Sequence, residues 1–399
     1  MAQFQAINLD TIEKTAFAFS ANLQYMTPAQ IAVANIGVSV TAGTLCALSN
    51  AQIAALTSNQ IKQIIACGLQ GVITHAGGPR AWSRTQFESL SADAIAPMVN
   101  RNPATDKAYT TKDVPLFSAG GPLIGDINQG GYGDCFFLAG LAGLAQNDPS
   151  FVESAIISDA NGIYSVRFFD SSGQANWVTI NSEVTSSAAG SFGNGWVAIV
   201  EKAYTVFCSL YQGKAYDYSA ILYGGFSNGL QSLTGNTATK YEGASYGIRS
   251  TLETWRKSAA SVKAALKLGE VVMYASYQET WGDNKKIDLF GPHMYTVTGF
   301  NDTTDKFILR NPWGSSFFSA NTFFEESADV LYGSYDGAPG IFFVNNSVGA
   351  SSDAGQLTHI GLFTQALASE GSSTILVSAS TESLISPLAA STLTSMLAA

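Results

Sequence analysis

Four residues that could together carry out acyl transfer occur in a suggestive order along the 399-residue chain. They are Gln129, Cys135, His293 and Asn311. A cysteine can supply the nucleophile, a histidine the base, an asparagine the group that orients the base, and a glutamine amide a donor for an oxyanion. Each residue alone more often packs a core or a turn, but their joint order favours a cysteine–histidine acyl-transfer site.

Cys135 stands where a glycine-rich loop becomes an apolar segment with helical character, within Gln129–Leu141. The first turn of a helix carries a partial positive charge and free N–H groups, and both favour thiolate over thiol. Asp134 opposes this effect, because a nearby negative charge raises the pKa of a thiol. With His293 as an imidazolium partner, we expect the helix start to outweigh one solvated carboxylate.

His293 follows a Gly-Pro turn and opens a predicted strand at 293–300, and Asn311 follows the next predicted strand at 306–310. If these strands pair antiparallel, the two side chains lie near the same end of the hairpin. The asparagine oxygen can then accept from the imidazole N–H and hold the ring. Trp313 is positioned to shield that hydrogen bond from water.

The remaining histidines and cysteines are weaker candidates for chemistry. His75 lies beside a Gly/Pro turn and is interpreted as a surface-loop residue, and His359 lies in the C-terminal tail. The cysteines form neither a CxxC metal pattern nor a dense disulfide framework, so the redox compartment stays open. They are scattered along the chain at Cys46, Cys67, Cys135 and Cys208.

Composition excludes some classes of partner. The formal net charge is −10, with only 20 lysines and arginines and no basic cluster, so we expect no nucleic-acid partner. The first residues lack the basic-then-apolar pattern of a signal peptide, which leaves a cytoplasmic location and leaderless secretion both open. The apolar stretch at 31–48 raises a transmembrane question, but a repeat explains it better.

That repeat has a period of eight residues in the N-terminal region. Two units carry capping-box chemistry, at Ser49–Gln52 and Thr57–Gln60, where a hydroxyl caps a helix start and the glutamine reaches back. Short capped turns or a small solenoid are therefore predicted. A docking, spacer or inhibitory role and a plain helical domain all remain open. The repeating apolar residues are Leu45, Leu48, Ile53, Leu56, Ile61 and Ile64.

The predicted fold class is α+β, because helices precede strands in the core. A hairpin at 163–180, a helix at 196–204 and a short helix at 259–268 come before or between strands at 271–276, 293–300, 306–310 and 341–344. We predict an N-terminal helical module at 1–80, a linker at 81–118, a catalytic core at 119–345, and an Ala/Ser/Thr/Leu-rich tail at 346–399.

Several of these segments resemble one family. Gln129–Leu141 resembles the cysteine-site motif of the calpain family of papain-like peptidases, with Phe136 where the family usually has tryptophan. The resemblance spans roughly 119–345. Its other motifs are the histidine strand, the asparagine motif and a helix containing Glu-Lys-Ala-Tyr, which are similar to Gly291–Gly299, Arg310–Gly314 and Trp196–Tyr204.

The resemblance implies a two-lobed cysteine peptidase core, with a helical lobe carrying Cys135 and a β-rich lobe carrying His293 and Asn311, acting on protein or peptide substrates. It assigns Cys135 as nucleophile, His293 as general base then acid, and Asn311 as its orienting group. Gln129 and the Cys135 backbone N–H would stabilise the oxyanion, and Trp313 would guard the triad. A catalytically silent binding domain is the main alternative. A transglutaminase-like acyl transferase is another, but that class generally has aspartate in the third position.

The resemblance also raises calcium, which animal calpains bind in the peptidase core. Asp126 stands where one ligand would be, but Asn194 precedes Trp196 by two residues in a region where the family often has an acid. No EF-hand loop is found in the sequence. We therefore expect no required cofactor and no strong calcium dependence.

Overall fold

The fold is a mixture of helices and antiparallel sheets. The computed structural model describes residues 5–14, 20–36, 40–67, 82–159, 162–191, 193–225, 227–242, 244–245, 248–249, 252–276, 280–281, 287–314, 322–332 and 340–345. His75, His359 and the predicted tail beyond residue 345 lie outside these ranges.

The N-terminal part consists of short helices with hydroxyl caps. The predicted capping boxes at Ser49–Gln52 and Thr57–Gln60 are both formed, which confirms these two local predictions. Two more occur at Thr27–Gln30 and Ser83–Gln86. The helices are α1 (Leu9–Lys14), α2 (Pro28–Val33), α3 (Ala42–Cys46), α4 (Asn50–Ala54), α5 (Ser58–Ala66), α6 (Arg84–Glu88) and α7 (Ala92–Ile95), with 3₁₀ turns at Ser20–Tyr25 and Ala96–Met98.

The capping glutamines also tie distant turns together. The Gln60 Nε2 donates to the carbonyls of Ile31 and Ala34 at 2.5 and 2.7 Å, and the Gln52 Nε2 donates to Met26 O at 2.7 Å. Each side chain therefore satisfies its own helix start and the carbonyls at the end of an earlier turn. Because the N–H and C=O groups at their ends are hydrogen-bonded in this way, the short helices can pack closely.

One apolar cluster joins this region to the segment that follows it. Trp82 and Phe87 are fully buried in the same cluster as Ile53 and Ile61, although 81–118 was predicted as a linker. Trp177, which lies on a strand of the next region, also belongs to this cluster. The large aromatic rings supply apolar burial that the short helices alone could not. The division into four segments stays a prediction.

The central region combines helices with a three-stranded antiparallel sheet, in the order β2-β3-β4. The predicted helices at Cys135 and Trp196 and the predicted hairpin are confirmed. The elements are β1 (Tyr109–Thr111), α8 (Cys135–Asn147), α9 (Pro149–Ser154), β2 (Ile156–Ser158), β3 (Ile163–Phe169), β4 (Ala175–Asn181), β5 (Glu183–Thr185), α10 (Trp196–Tyr211) and α11 (Asn228–Thr234), with 3₁₀ turns at Ile124–Asp126 and Tyr218–Ile221.

The C-terminal part of the described chain is built on a six-stranded antiparallel sheet, in the order β14-β13-β12-β9-β15-β6. All four predicted strands are present. The predicted short helix is longer than expected and begins at Leu252. The elements are β6 (Thr239–Glu242), β7 (Ala244–Ser245), β8 (Ile248–Arg249), α12 (Leu252–Lys267), β9 (Val271–Ser276), β10 (Thr280–Trp281), β11 (Ile287–Leu289), β12 (His293–Asn301), β13 (Lys306–Arg310), β14 (Phe323–Ser327), α13 (Ala328–Leu331) and β15 (Ile341–Asn345).

Helix α8 packs directly against this sheet. Gly143 allows the close approach, since a Cβ there would lie 2.6 Å from Val271 Cγ1 on β9. The Thr296 hydroxyl on β12 donates to Ala139 O at 2.8 Å. The helix that begins at Cys135 is thereby fixed to the strand that begins at His293. None of the helices in the described ranges combines the length and apolar character that crossing a bilayer requires.

Candidate active site

The loop before Cys135 is held on two sides. Gln129 N donates to Pro312 O and Gly131 N donates to Ser187 O, both at 2.8 Å. Gly130 is required by this packing, because a Cβ there would lie 2.0 Å from Ser187 O. The first of these bonds links the cysteine loop to the loop that carries Asn311, although the two are far apart in sequence.

His293 and Asn311 meet at the same end of the β12–β13 hairpin, as the antiparallel prediction requires. The distance from His293 Nε2 to Asn311 Oδ1 is 2.9 Å, and both residues are only 4% exposed. The Trp313 backbone N–H donates to the same Oδ1 at 3.0 Å, which identifies that atom as the acceptor. His293 Nε2 is therefore the protonated nitrogen, and Nδ1 keeps its lone pair.

Aromatic rings cover this hydrogen bond. Trp313 lies against the imidazole with ring centroids 4.5 Å apart, and Tyr295 packs edge-on at 4.9 Å. Phe290 in turn packs on Trp313 at 4.7 Å. Excluding water strengthens the hydrogen bond that fixes the ring and its tautomer. Trp313 thus lies against the His293 ring, and its role as a shield stays a prediction.

The Cys135 thiol lies beside the strand that begins at His293. The backbone N–H of Met294, the residue after His293, hydrogen-bonds the sulfur and lowers the pKa of the thiol. The cysteine and the histidine are therefore brought to one site by the packing of α8 on β12. The structure thus links the cysteine loop to Pro312, the Cys135 sulfur to the residue after His293, and His293 to Asn311, while their assignment as a catalytic site stays a prediction.

The protonation of the pair differs from the expectation of an activated thiolate. Burial, with a smaller contribution from the charge of Asp134, raises the pKa of the Cys135 thiol to about 11. Burial also lowers the pKa of His293 to about 4, against an opposing effect of the Asn311 hydrogen bond. Both shifts oppose an ion pair, so we expect the resting pair to be a neutral thiol and a neutral imidazole.

Alkylation of Cys135 as a function of pH tests this resting state. We expect the rate with iodoacetamide to rise about tenfold per pH unit between pH 7 and 10, because only the thiolate reacts. His293→Ala should leave the rate at pH 7 nearly unchanged. A rate that is already maximal below pH 7, and that falls in His293→Ala, would show an ion pair and contradict the neutral state.

Gln129 is buried in the cysteine loop, and its side-chain amide donates to Tyr132 O at 2.6 Å. One of its two amide hydrogens is therefore used inside the loop, and the second is the donor that an oxyanion would need. Its role in an oxyanion hole stays a prediction.

A buried carboxyl pair behind Cys135 was not foreseen. Asp134 was expected to be solvated, but it is fully buried and interacts electrostatically with the equally buried Glu201 on α10. Burial raises the pKa of Asp134 to about 7 and that of Glu201 well above its usual range. Both Glu201 oxygens accept from Ala189 N at 3.2 Å. The pair therefore carries fewer than two charges at neutral pH.

The residues near Asp126 fit calcium poorly. Asp126 Oδ2 already accepts from Trp196 Nε1 at 2.8 Å and from Leu123 N at 3.0 Å. The Asn194 side-chain oxygen is buried without a hydrogen-bond partner in the described chain, and it is neutral. Calcium prefers six to eight oxygens, usually from several carboxylates. The described residues also contain no cluster of three or more His, Cys, Asp or Glu able to hold a metal.

A cleft opens at the thiol. It has a volume of about 460 Å³. Peptide-sized clefts beside a nucleophile are the usual substrate sites of hydrolases. The residues that line it are Gly133, Cys135, Phe136, Tyr223, Gly224, Gly225, Ser227, Lys240, Pro292 and Phe343.

A family model for calpain family cysteine proteases matches residues 105–326, more than half of the chain. The chain, which has a mixed α/β core, therefore belongs to the calpain family of cysteine proteases. The match begins upstream of the predicted core boundary at residue 119 and ends before residue 345.

Distant curated relatives also support the assignment to the calpain family. The calpain-2 catalytic subunit of Gallus gallus is 28% identical over 222 residues, which are 50% of this chain and 29% of the relative. Calpain-8 of Rattus norvegicus is 27% identical over 226 residues, with the same two shares. Calpain-13 of Rattus norvegicus is 28% identical over 225 residues, 51% of this chain and 31% of the relative. The chain thus matches less than a third of the length of these relatives.

Proposed function

We propose that this protein is a cysteine endopeptidase that uses Cys135, His293 and Asn311 as its triad. The observation that carries the proposal is the 2.9 Å hydrogen bond from His293 Nε2 to Asn311 Oδ1. It leaves the Nδ1 lone pair as the base, on a strand whose next backbone N–H bonds the Cys135 sulfur. Nucleophile, base and orienting group then have the relationship that covalent amide hydrolysis needs.

The reaction starts from the neutral pair. His293 Nδ1 takes the thiol proton as the sulfur attacks the substrate carbonyl, and the backbone N–H of Cys135 and the amide of Gln129 stabilise the oxyanion. The imidazolium gives its proton to the leaving amine, which leaves a thioester on Cys135. Water then attacks the thioester with His293 as base, and the acid product and the thiol are released.

The two groups belong to two lobes in this proposal. Helix α8 and the three-stranded sheet form the lobe with Cys135, and the six-stranded sheet forms the lobe with His293 and Asn311. The cleft at the thiol is the proposed binding site for an extended peptide. The N-terminal helices, which share an apolar cluster with Trp177, are proposed to dock a partner or restrain the core.

Product analysis tests the endopeptidase assignment against a silent binding domain. The purified chain should cut casein or a long peptide at internal bonds, giving fragments with new termini that mass spectrometry identifies. A binding domain should retain the peptide intact. Stepwise loss of single terminal residues would contradict internal cleavage, and the absence of products under reducing conditions would contradict peptidase activity.

Chelation of calcium is expected to change activity by less than about twofold, because an ion that does not bind cannot stabilise the active state. The measurement is peptide hydrolysis with millimolar calcium and with excess EGTA. Asp126→Asn is the matched variant, since an asparagine oxygen can still accept from Trp196 Nε1. Activity that requires calcium and is lost in Asp126→Asn would overturn the expectation.

A further inference from the structure

Tyr223 is an exposed aromatic residue held in an unfavourable backbone conformation. Its φ is +50°, and its 86% exposure is the highest among the exposed large apolar side chains in the described chain. A positive φ is uncommon for residues other than glycine, and it costs conformational free energy in a tyrosine. Its side chain gains little from burial. Stability of the free protein therefore does not explain this residue.

Two contacts hold Tyr223 over the cysteine loop. Its backbone N–H donates to Gly133 O at 3.0 Å, two residues before Cys135. The ring passes close to Gly133, where a Cβ would lie 3.2 Å from Tyr223 Cε1. Both contacts hold the Tyr223 ring next to Cys135, and they leave the ring exposed to solvent.

The ring forms a wall of the cleft that also contains the thiol. The floor beside it is Phe136, which approaches the backbone so closely that a Cβ at Gly224 would lie 2.3 Å from Phe136 Cζ. Pro292 and Phe343 complete a largely apolar lining. Phe136 and Phe343 are almost fully buried behind this lining, so a bound peptide side chain there would pack mainly against the exposed ring of Tyr223.

The charged group in the lining is already paired. Lys240 forms an ion pair with Glu242, and both side chains are partly exposed to solvent. An acidic side chain of a peptide would therefore compete with Glu242 and gain little at this exposed site. Aromatic and large aliphatic side chains gain from the rings without such competition.

We propose that Tyr223 determines substrate specificity by packing against an aromatic or large aliphatic side chain close to the scissile bond. This inference rests on the proposed endopeptidase function of the same site. The strained backbone directs the Tyr223 ring into the cleft, where only bound substrate covers the ring. This placement accounts for the strain. The ring takes no part in proton transfer and binds substrate only.

The test uses peptides that differ at one position, scanned through the residues on both sides of the scissile bond. At one position, wild-type protein should prefer phenylalanine or leucine over alanine in kcat/KM by about tenfold or more, as apolar pockets do. Tyr223→Gly should remove most of this preference through a KM that rises more for the phenylalanine and leucine peptides than for the alanine peptide. Tyr223→Phe should keep the preference, because the ring remains.

Leu268→Ala is the matched control, since Leu268 is 77% exposed and is not among the residues that line the cleft. It should leave the preference unchanged. Tyr223→Gly should also melt at or above the wild-type temperature, because glycine accepts the positive φ. A preference that survives in Tyr223→Gly, or an equal loss on all peptides, would overturn the inference while the peptidase function stands. If wild-type protein cleaves no peptide, the peptidase proposal and this inference both fail.

Discussion

Replacing Cys135 with alanine is expected to lower kcat/KM for peptide hydrolysis by about 10⁴-fold or more. The sulfur forms the thioester, and no other group described near His293 can replace it as a nucleophile. Losses of this size are typical when the nucleophile of a triad is removed, with the residual rate due to binding and oxyanion stabilisation. The measurement is the initial rate on a fluorogenic peptide, with protein concentration fixed by absorbance.

The controls for this prediction lie on the same chain. Cys46→Ala changes a thiol in the N-terminal helices and should leave the rate within about twofold, as expected for a distant site. Combining His293→Ala with Cys135→Ala should lower the rate no further than Cys135→Ala alone, because the two groups act as a unit. Additive losses would show that His293 does not act through Cys135.

Replacing Lys202 with methionine is expected to destabilise the fold by about 3–5 kcal/mol, since it leaves buried oxygens without their cation. Lys202 is fully buried on α10, and its Nζ donates to Asn102 Oδ1, Asn181 Oδ1 and Glu183 O at 2.6, 2.5 and 2.6 Å. The ammonium thereby ties α10 to two other chain segments, one at Asn102 and one at 181–183. Burial lowers the pKa of Lys202 to about 8. The measurement is the free energy of unfolding in urea.

Lys257→Met provides the matched control. Lys257 pairs with Glu253 on the surface of α12, and the two side chains are 76% and 79% exposed. Surface pairs of this kind contribute about 0.3–0.5 kcal/mol. Because burial lowers the pKa of Lys202 from its usual 10.5 to about 8, the folded protein releases this proton before the unfolded chain does, so the stability of wild-type protein should rise relative to Lys202→Met between about pH 8 and pH 10. Equal effects of the two substitutions would contradict a structural role for the buried cation network.

Local patterns predicted much of the framework. The apolar periodicity at 196–204 and the alternation at 293–300 and 306–310 are strong signals, and the structure has the expected helix and strands. Antiparallel pairing of two sequential strands then brings His293 and Asn311 together without further information. The capping boxes could also be recognised from the sequence, because a hydroxyl residue and a glutamine are three positions apart in each.

The parts that sequence could not give depend on packing between distant segments. Asp134 lies close to Glu201 only because the start of α8 faces α10. Their interaction sets the charge of the carboxyl group beside Cys135. The thiol pKa was expected to fall, yet burial raises it, and burial cannot be read from a loop motif. The bond between Trp196 Nε1 and Asp126 is of the same kind, linking residues that are 70 positions apart.

The cysteine helix also shows why a motif alone is incomplete. Its glycine-rich loop was assigned to the nucleophile and half of an oxyanion hole. In the structure the same loop is also tied to Pro312 and Ser187, so that it depends on the β-rich part for its shape. One hydrogen of the Gln129 amide is used by Tyr132 O, which leaves the second for a substrate oxyanion.

Nucleophilic catalysis by Cys135 can be observed by trapping the acyl-enzyme. A peptide ester whose thioester intermediate hydrolyses slowly is mixed with the protein, quenched in acid, and analysed by intact mass and peptide mapping. We predict a mass increase equal to the acyl part of the substrate, located on Cys135 and absent in Cys135→Ala. Turnover of the ester with an unmodified Cys135, or with the acyl group on Cys46, Cys67 or Cys208, would contradict it.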